Sequence, residues 1–323
     1  MLFINDQLSH VVRAKQIHVQ LITCYLKRKL YGKSALAICA DSNCKICKSK
    51  TQKLKISVYL FSVLKQIDLR QVAGGNPFEL VKINNQFKNL YLKGKRKKIS
   101  VQDRKSLEGI FNYRWFDNKE NKLYNAYELC NNLRIETCIY CNRLYTSTVI
   151  INRKEMVIRP TLDHWFAQES HPLLSLSFYN LIPSCSPCNS SVKHDATFEL
   201  SKNTHPFVDK GITNSYQIRS TYNTSLTSYK INVITRNKKI KSTLNTMKIA
   251  AIYEHHQSEL ADLDLLQRKY NKSYLKRLGQ LLDAKLTEKE VYRIMFGVEY
   301  EDENFYKRPL SKLKKDILKL KLK

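Results

Sequence analysis

Four cysteines with one repeated spacing, Cys138/Cys141 and Cys185/Cys188, stand out among the residues of this 323-residue chain that could do chemistry. A two-residue gap lets a turn direct both thiolates to one side. Two such pairs supply a tetrahedron of soft ligands, the closed donor set of a structural Zn²⁺ with no position left for water. Asp163 and His164 lie between the pairs and Asn189 directly follows the second. Asp163 and His164 end a strand-like stretch, where neighbouring side chains point to opposite faces, so that one can hold a cation while the other faces a phosphate. A zinc site would fix Asn189 relative to that strand. A carboxylate with an amide oxygen is a hard donor set that suits Mg²⁺ or Mn²⁺, completed by waters and phosphate oxygens.

A third pair, Cys44 and Cys47, has Cys39 nearby and His18 or Cys24 as candidate fourth ligands. Its ligand spacing is incomplete, so the expectation is cysteines buried on a helical region, and Cys130 is expected to be structural. No charged segment followed by an apolar run opens the chain, which argues against a secretion signal. Clustered two-residue gaps in such a chain read as metal ligands in a reducing cytoplasm rather than as disulfides. No βαβ pattern surrounds them, which argues against a thioredoxin-like redox pair.

The charge balance points to the partner. Lys and Arg number 56 against 28 Asp and Glu, a net charge of +28 with a pI near 9.7, which favours polyanions. The most apolar stretches, at 34–40 and 149–151, fall far short of the roughly 18 residues a spanning helix needs, so nucleic acid is expected and membrane attachment is not. A hydrophobic share of 43% with only 8 Gly and 7 Pro excludes a disordered or low-complexity chain. Two basic runs can track phosphates: Lys93–Lys98, interrupted only by Gly94, and the tail from Lys307, whose single acid is Asp316.

The elements that must position these residues fall into three regions. Residues 1–133 read as basic and mainly helical, with helical spacing over 54–69, a break at Gly74-Gly75-Asn76-Pro77, and further helical stretches over 78–92 and 121–133. Residues 134–215 form the cysteine-bearing centre. There, 144–151 and 156–162 read as the arms of a hairpin turning at Asn152-Arg153-Lys154, the second arm delivering Asp163 and His164 at its end. Residues 178–182 read as a further short strand, ended by Pro183, with a knuckle over 184–188 and a short helix from about Asn189. Residues 216–323 begin with alternation at Tyr229, Ile231 and Val233, then carry an apolar helical stripe from Leu244 to Tyr270. Thr287 with Glu290 has the form of a capping box, and the basic tail follows.

Read together, the strings Cys-Ile-Tyr-Cys-Asn-Arg (138–143), Leu-Asp-His-Trp-Phe (162–166), His-Pro-Leu-Leu (171–174), Phe-Tyr-Asn-Leu-Ile-Pro-Ser-Cys-Ser-Pro-Cys-Asn-Ser-Ser (178–191) and His-Pro-Phe (205–207) closely resemble the zinc-containing branch of bacterial HNH endonucleases. The resemblance covers about 80 residues and says little about residues 1–130. Together with the helical flanks read above, it implies an α+β protein, mainly helical, with a central zinc-bound ββα-metal (His-Me finger) nuclease module that hydrolyses phosphodiester bonds, DNA being the expected substrate. Position by position, it implies that His164 is the general base and that Asp163 and Asn189 hold one divalent cation, Mg²⁺ or Mn²⁺. Asn180 would brace the loop that aims His164. Asn189 stands where the family more often has His, the HNN variant, and Trp165 replaces the commoner Phe.

For Lys193, one helical turn past Asn189, a contact to the scissile phosphate and a solvated helix lysine both remain open. His194 and His205 are accessory candidates, and His171 is expected to pack. The competing expectation is a non-catalytic zinc-ribbon module that binds nucleic acid with the same charge and the same knuckles. A nuclease held as the effector of a bacterial defence or toxin system, with a protein partner, is compatible with the helical flanks.

Overall fold

The computed structural model describes all residues except 38, 40, 42, 94–96, 153–154, 270–271, 282–285, 321 and 323. The chain opens with α1 (Ser9–Tyr31), whose buried residues Val11, Ala14, His18, Ile22 and Tyr25 recur at helical spacing. Gly32, at φ +65°, ends it in a conformation that costs glycine little. The stretch expected as one helix over 54–69 is two: α2 (Val58–Leu64) and α3 (Leu69–Gly74), separated where Asp68 caps α3 through the N–H groups of Arg70 and Gln71. Gly74 is needed at the α1–α3 crossing, where a Cβ would lie 2.3 Å from a Val19 methyl. Next comes α4 (Pro77–Tyr91), opened by a reciprocal capping box between Asn76 and Glu79 with Pro77 in the first turn. The remaining helices of this part are α5 (Val101–Ile110), α6 (Tyr113–Asp117) and α7 (Ala126–Leu133).

The middle of the chain departs from the expected hairpin. Strands β1 (Val149–Asn152) and β2 (Glu155–Ile158) do pair, although residues 153–154 of their turn lie outside the described residues. The second arm ends at Ile158, and Asp163 and His164 belong to a separate strand, β3 (Thr161–His164). Pro160, which has no N–H to donate, lies between the two. Strand β3 pairs antiparallel with β4 (Leu181–Ser184), placing Asp163 opposite Ile182 and His164 opposite Leu181. Residues Phe178–Asn180, read as strand, form a 3₁₀ turn instead, and Pro183 lies inside β4 rather than after it. A π-helical turn, Pro187–Lys193, follows β4 and begins two residues before the helix expected from Asn189.

Strands β5 (Gln217–Asn223) and β6 (Ser228–Ile234) make a third two-stranded antiparallel sheet that carries the alternating Tyr229, Ile231 and Val233. The apolar stripe beyond it is divided among α8 (Lys238–Thr246), α9 (Ile249–Glu254) and α10 (Gln257–Lys269), and Tyr270 lies outside the described residues. Helices α11 (Lys272–Leu281), α12 (Glu288–Phe296) and α13 (Ser311–Leu318) complete the chain, and α12 opens with the expected Thr287/Glu290 capping box. The fold is thus mixed, helices with three small antiparallel sheets among the described residues. Buried apolar side chains from the N-terminal helices, the cysteine-bearing centre and the C-terminal helices form one continuous cluster. No helix among the described residues is long and apolar enough to cross a membrane.

Candidate functional site

The first knuckle is built by local backbone bonding. Asn142, at φ +49°, donates its N–H to the Cys138 carbonyl at 2.7 Å, and the Arg143 N–H points at the Cys141 sulfur at 3.4 Å. The second knuckle turns out of β4, with the Asn189 N–H on the Cys185 carbonyl at 3.1 Å. Together they bring the sulfurs of Cys138, Cys141, Cys185 and Cys188 within 4.8 Å of one another, all four residues buried. The Cys141 and Cys185 sulfurs are 3.9 Å apart, close to the edge of about 3.8 Å in a tetrahedron of ~2.3 Å Zn–S bonds and far beyond a disulfide. Hydrogen bonds from the neighbouring thiols hold the Cys141 thiol below its ordinary value, and the Arg143 N–H adds to this. The donor set therefore fits a structural zinc.

The second cysteine group corrects the expectation of merely buried thiols. Cys24 of α1 meets Cys39, Cys44 and Cys47 of the following loop, with sulfurs within 4.8 Å of one another and the Cys24–Cys39 pair 3.7 Å apart. This too fits a tetrahedral metal. His18, the other candidate ligand, is turned elsewhere: its Nε2 meets the Leu176 carbonyl at 2.8 Å and its Nδ1 the Tyr124 hydroxyl at 3.1 Å. Cys130 is buried and belongs to neither group.

Asp163 and His164 face different surroundings, as their alternation on β3 requires. The imidazole of His164 is half-buried, with its Nε2 2.9 Å from the Ser175 carbonyl and its ring edge-on to Tyr113 at 4.5 Å. A carbonyl can only accept, so Nε2 carries the proton and Nδ1 carries the lone pair. Burial lowers the His164 pKa, outweighing the Ser175 carbonyl and the Asp163 charge, which both raise it. Asn180, fully buried, braces the chain just beyond. Its amide oxygen accepts from the Phe166 N–H at 2.6 Å, while its amide nitrogen donates to the carbonyls of Phe166 (3.2 Å) and Leu174 (2.9 Å).

Asp163 is engaged on both oxygens. The Lys193 ammonium lies 2.8 and 3.0 Å from them, and the Tyr140 hydroxyl, from inside the first knuckle, donates at 2.5 Å. Lys193 also donates to the His164 carbonyl at 2.5 Å and lies over the Phe198 ring. Both side chains of the pair are about 95% buried (Lys193 4% and Asp163 5% exposed), so Lys193 is not a solvated helix lysine. Asn189 is half-buried, and no hydrogen bond from its side-chain amide occurs among the described residues. Oxygens from Asp163 and Asn189 are chemically right for Mg²⁺ or Mn²⁺. As arranged, however, they do not fit such an ion, because a buried ammonium already neutralises the one carboxylate, and a second cation beside it would be strongly repelled.

The accessory histidines separate by burial. His205 is fully buried against Trp165 at 4.7 Å, its Nδ1 accepting from the Phe207 N–H, and burial pushes its pKa down to about 3. His194 is exposed and pairs with Asp195 at 2.6 Å. His171 packs on Phe166, as expected.

Sequence reasoning passed over four contributors: Tyr140, Tyr113, the Ser175 carbonyl and Asn142. The Asn142 side chain donates to Thr137, Phe305 and Arg308, tying the first knuckle to the C-terminal segment. Only Tyr140 carried a local signal, its place between two ligand cysteines. No protein-family model, curated protein or solved structure matches this chain.

Proposed function

We propose that the chain is an HNH-type endonuclease that hydrolyses phosphodiester bonds in nucleic acid, with His164 as general base. The observation that carries this reading is the placing of His164: its Nε2 donates to the Ser175 carbonyl, burial lowers its pKa, and its Nδ1 makes no hydrogen bond among the described residues, which leaves that lone pair to accept a proton. The order of elements supports it too. Two antiparallel strands and a helical turn, β3, β4 and Pro187–Lys193, sit on a four-cysteine clamp in the sequence order that the resemblance implies.

In this mechanism Nδ1 of His164 takes a proton from a water whose oxygen attacks phosphorus. The new P–O bond forms as the bond to the 3′ oxygen breaks, and that oxygen is protonated from solvent. Asn180 holds the turn after His164 so that the ring keeps its aim. Lys193, paired with Asp163, also holds the His164 carbonyl and so fixes the end of β3.

One observation favours a second reading, a zinc-clamped nucleic-acid-binding module without catalysis: the Asp163–Lys193–Tyr140 network is as complete as a purely structural one. A cleavage assay on plasmid, linear DNA and RNA, each with and without Mg²⁺ or Mn²⁺, separates the two. Nicking by the wild type that falls by about 10²–10⁴ in His164→Ala is expected. Binding without cleavage under every condition would leave only the second reading.

A further inference from the structure

A cavity of about 460 Å³ opens between α5–α6 and the loop that follows β3, separated from His164 by the ring of Tyr113. Its wall includes Tyr113, whose ring meets that of His164 edge-on, and Gln168, four residues beyond His164. The remaining polar groups are Glu108, Asn112 and Arg114. The two sides are tied together where Arg104 of α5 donates to the Glu169 carbonyl at 3.1 Å. The volume falls in the ~300–1,000 Å³ range of pockets that hold a small organic group.

We infer that this cleft receives an unpaired nucleotide next to the bond to be cut, so that the substrate is single-stranded nucleic acid. The inference rests on the nuclease reading for its link to cleavage, but the cleft can be tested without it. The chemistry of the wall is that of base recognition. The Gln168 amide matches the donor–acceptor edge of a base, the Asn112 amide nitrogen adds a donor while its oxygen caps α6 through the Trp115 N–H, and the Glu108 carboxylate accepts from an exocyclic amine. Arg114 is exposed and makes no ion pair among the described residues, which leaves its guanidinium for a phosphate or a base plane. Exposed Lys97, Lys98, Arg104 and Lys105, in and just ahead of α5, provide the positive approach that a backbone needs. A base in a duplex has its edge paired and its faces stacked, and reaching this wall would require unstacking that a single strand does not. The helical part of the chain, on which the resemblance is silent, thereby supplies one wall of the site.

The test uses fluorescein-labelled oligonucleotides of one sequence, as DNA and as RNA, each single-stranded and in a duplex. Anisotropy is read on His164→Ala and His164→Gln proteins with and without Arg114→Gln, a change at an exposed position, with circular dichroism as the check on folding. Single strands are expected to bind at least tenfold tighter than duplex, and Arg114→Gln to weaken single-strand binding about five- to tenfold. In the active protein Arg114→Gln should raise KM by a similar factor with kcat unchanged. Equal affinity for the two forms, or no response to Arg114→Gln, overturns the cleft even where wild type cleaves. Absence of cleavage with the binding pattern intact removes the nuclease reading and keeps the cleft.

Discussion

At the scale of single residues the centre is governed by one buried ion pair. Asp163 and Lys193 are 30 positions apart, and each is nearly removed from water. A charge in that setting is tolerated because its partner is within 3 Å and the remaining hydrogen bonds, from Tyr140 and to the His164 carbonyl, are made. Removing one partner leaves the other uncompensated. Lys193→Met is therefore expected to lower the unfolding free energy by about 3–5 kcal/mol. Asp163→Asn/Lys193→Met should recover much of that, since neither charge remains. Urea denaturation of the two single variants and the double variant reads the coupling, and strictly additive losses would contradict it. The same pair decides whether Asp163 can meet a metal. Mn²⁺ binding followed by electron paramagnetic resonance should strengthen in Lys193→Met, which frees the carboxylate. Equally tight, Asp163-dependent Mn²⁺ binding in wild type would show that Lys193 yields its place to the ion.

At the scale of elements, two four-cysteine clamps hold the chain at different points. The central clamp joins two knuckles and fixes the start of Pro187–Lys193 relative to β4. The other joins the middle of α1 to the loop at 39–47, a loop also closed by Arg28, which donates to the Gly32 and Ser49 carbonyls at 2.8 and 2.9 Å. The central set was legible because both of its pairs have the same short spacing. The second was legible only as candidates, with Cys24 and His18 both open as fourth ligand, because Cys24 lies on a helix 15 residues before Cys39, and spacing alone does not say which helix face meets which loop. The same limit explains the misplaced strand. Local alternation marked 156–162 as extended, but the partner of Asp163 is Ile182, and long-range register depends on packing rather than on local pattern. Native mass spectrometry of the intact chain is expected to find two Zn²⁺, and Cys44→Ser to retain one. A single ion in the unaltered chain that Cys44→Ser still retains would rule out a zinc site at the second group. Because thiolate–zinc binding contributes roughly 10 kcal/mol or more to structural sites, Cys138→Ser is expected to unfold the centre rather than merely lose its metal.

At the scale of the whole molecule, acid attacks this fold through net charge, through buried imidazoles and through protonation of the thiolates that would hold zinc. The chain already carries a net charge of +28, so every proton added below neutrality increases its self-repulsion. It also buries neutral imidazoles. Burial pushes His18 down to about 4 and His205 to about 3, and it lowers His164 as well. In the unfolded chain these groups titrate near 6.5, so between that value and their folded values the unfolded state binds more protons. Stability is accordingly unaffected by these groups above about pH 7 and falls as the pH drops below ~6.5, the loss continuing until the folded values are passed. At pH 4.5 the depression of His18 and His205 corresponds to roughly 2–3 kcal/mol each, comparable with the ~5–15 kcal/mol that a folded domain has in total. Salt sets the net-charge contribution apart, and native mass spectrometry at both pH values reads whether zinc has left. At 1 M ionic strength the repulsion between surface charges is screened within about 3 Å, whereas the cost of charging a buried ring is not. Unfolding measured at pH 7.0 and 4.5 should therefore keep a gap of several kcal/mol in 1 M NaCl, and His18→Gln should narrow it. A gap that closes in high salt would assign the acid sensitivity to net charge alone.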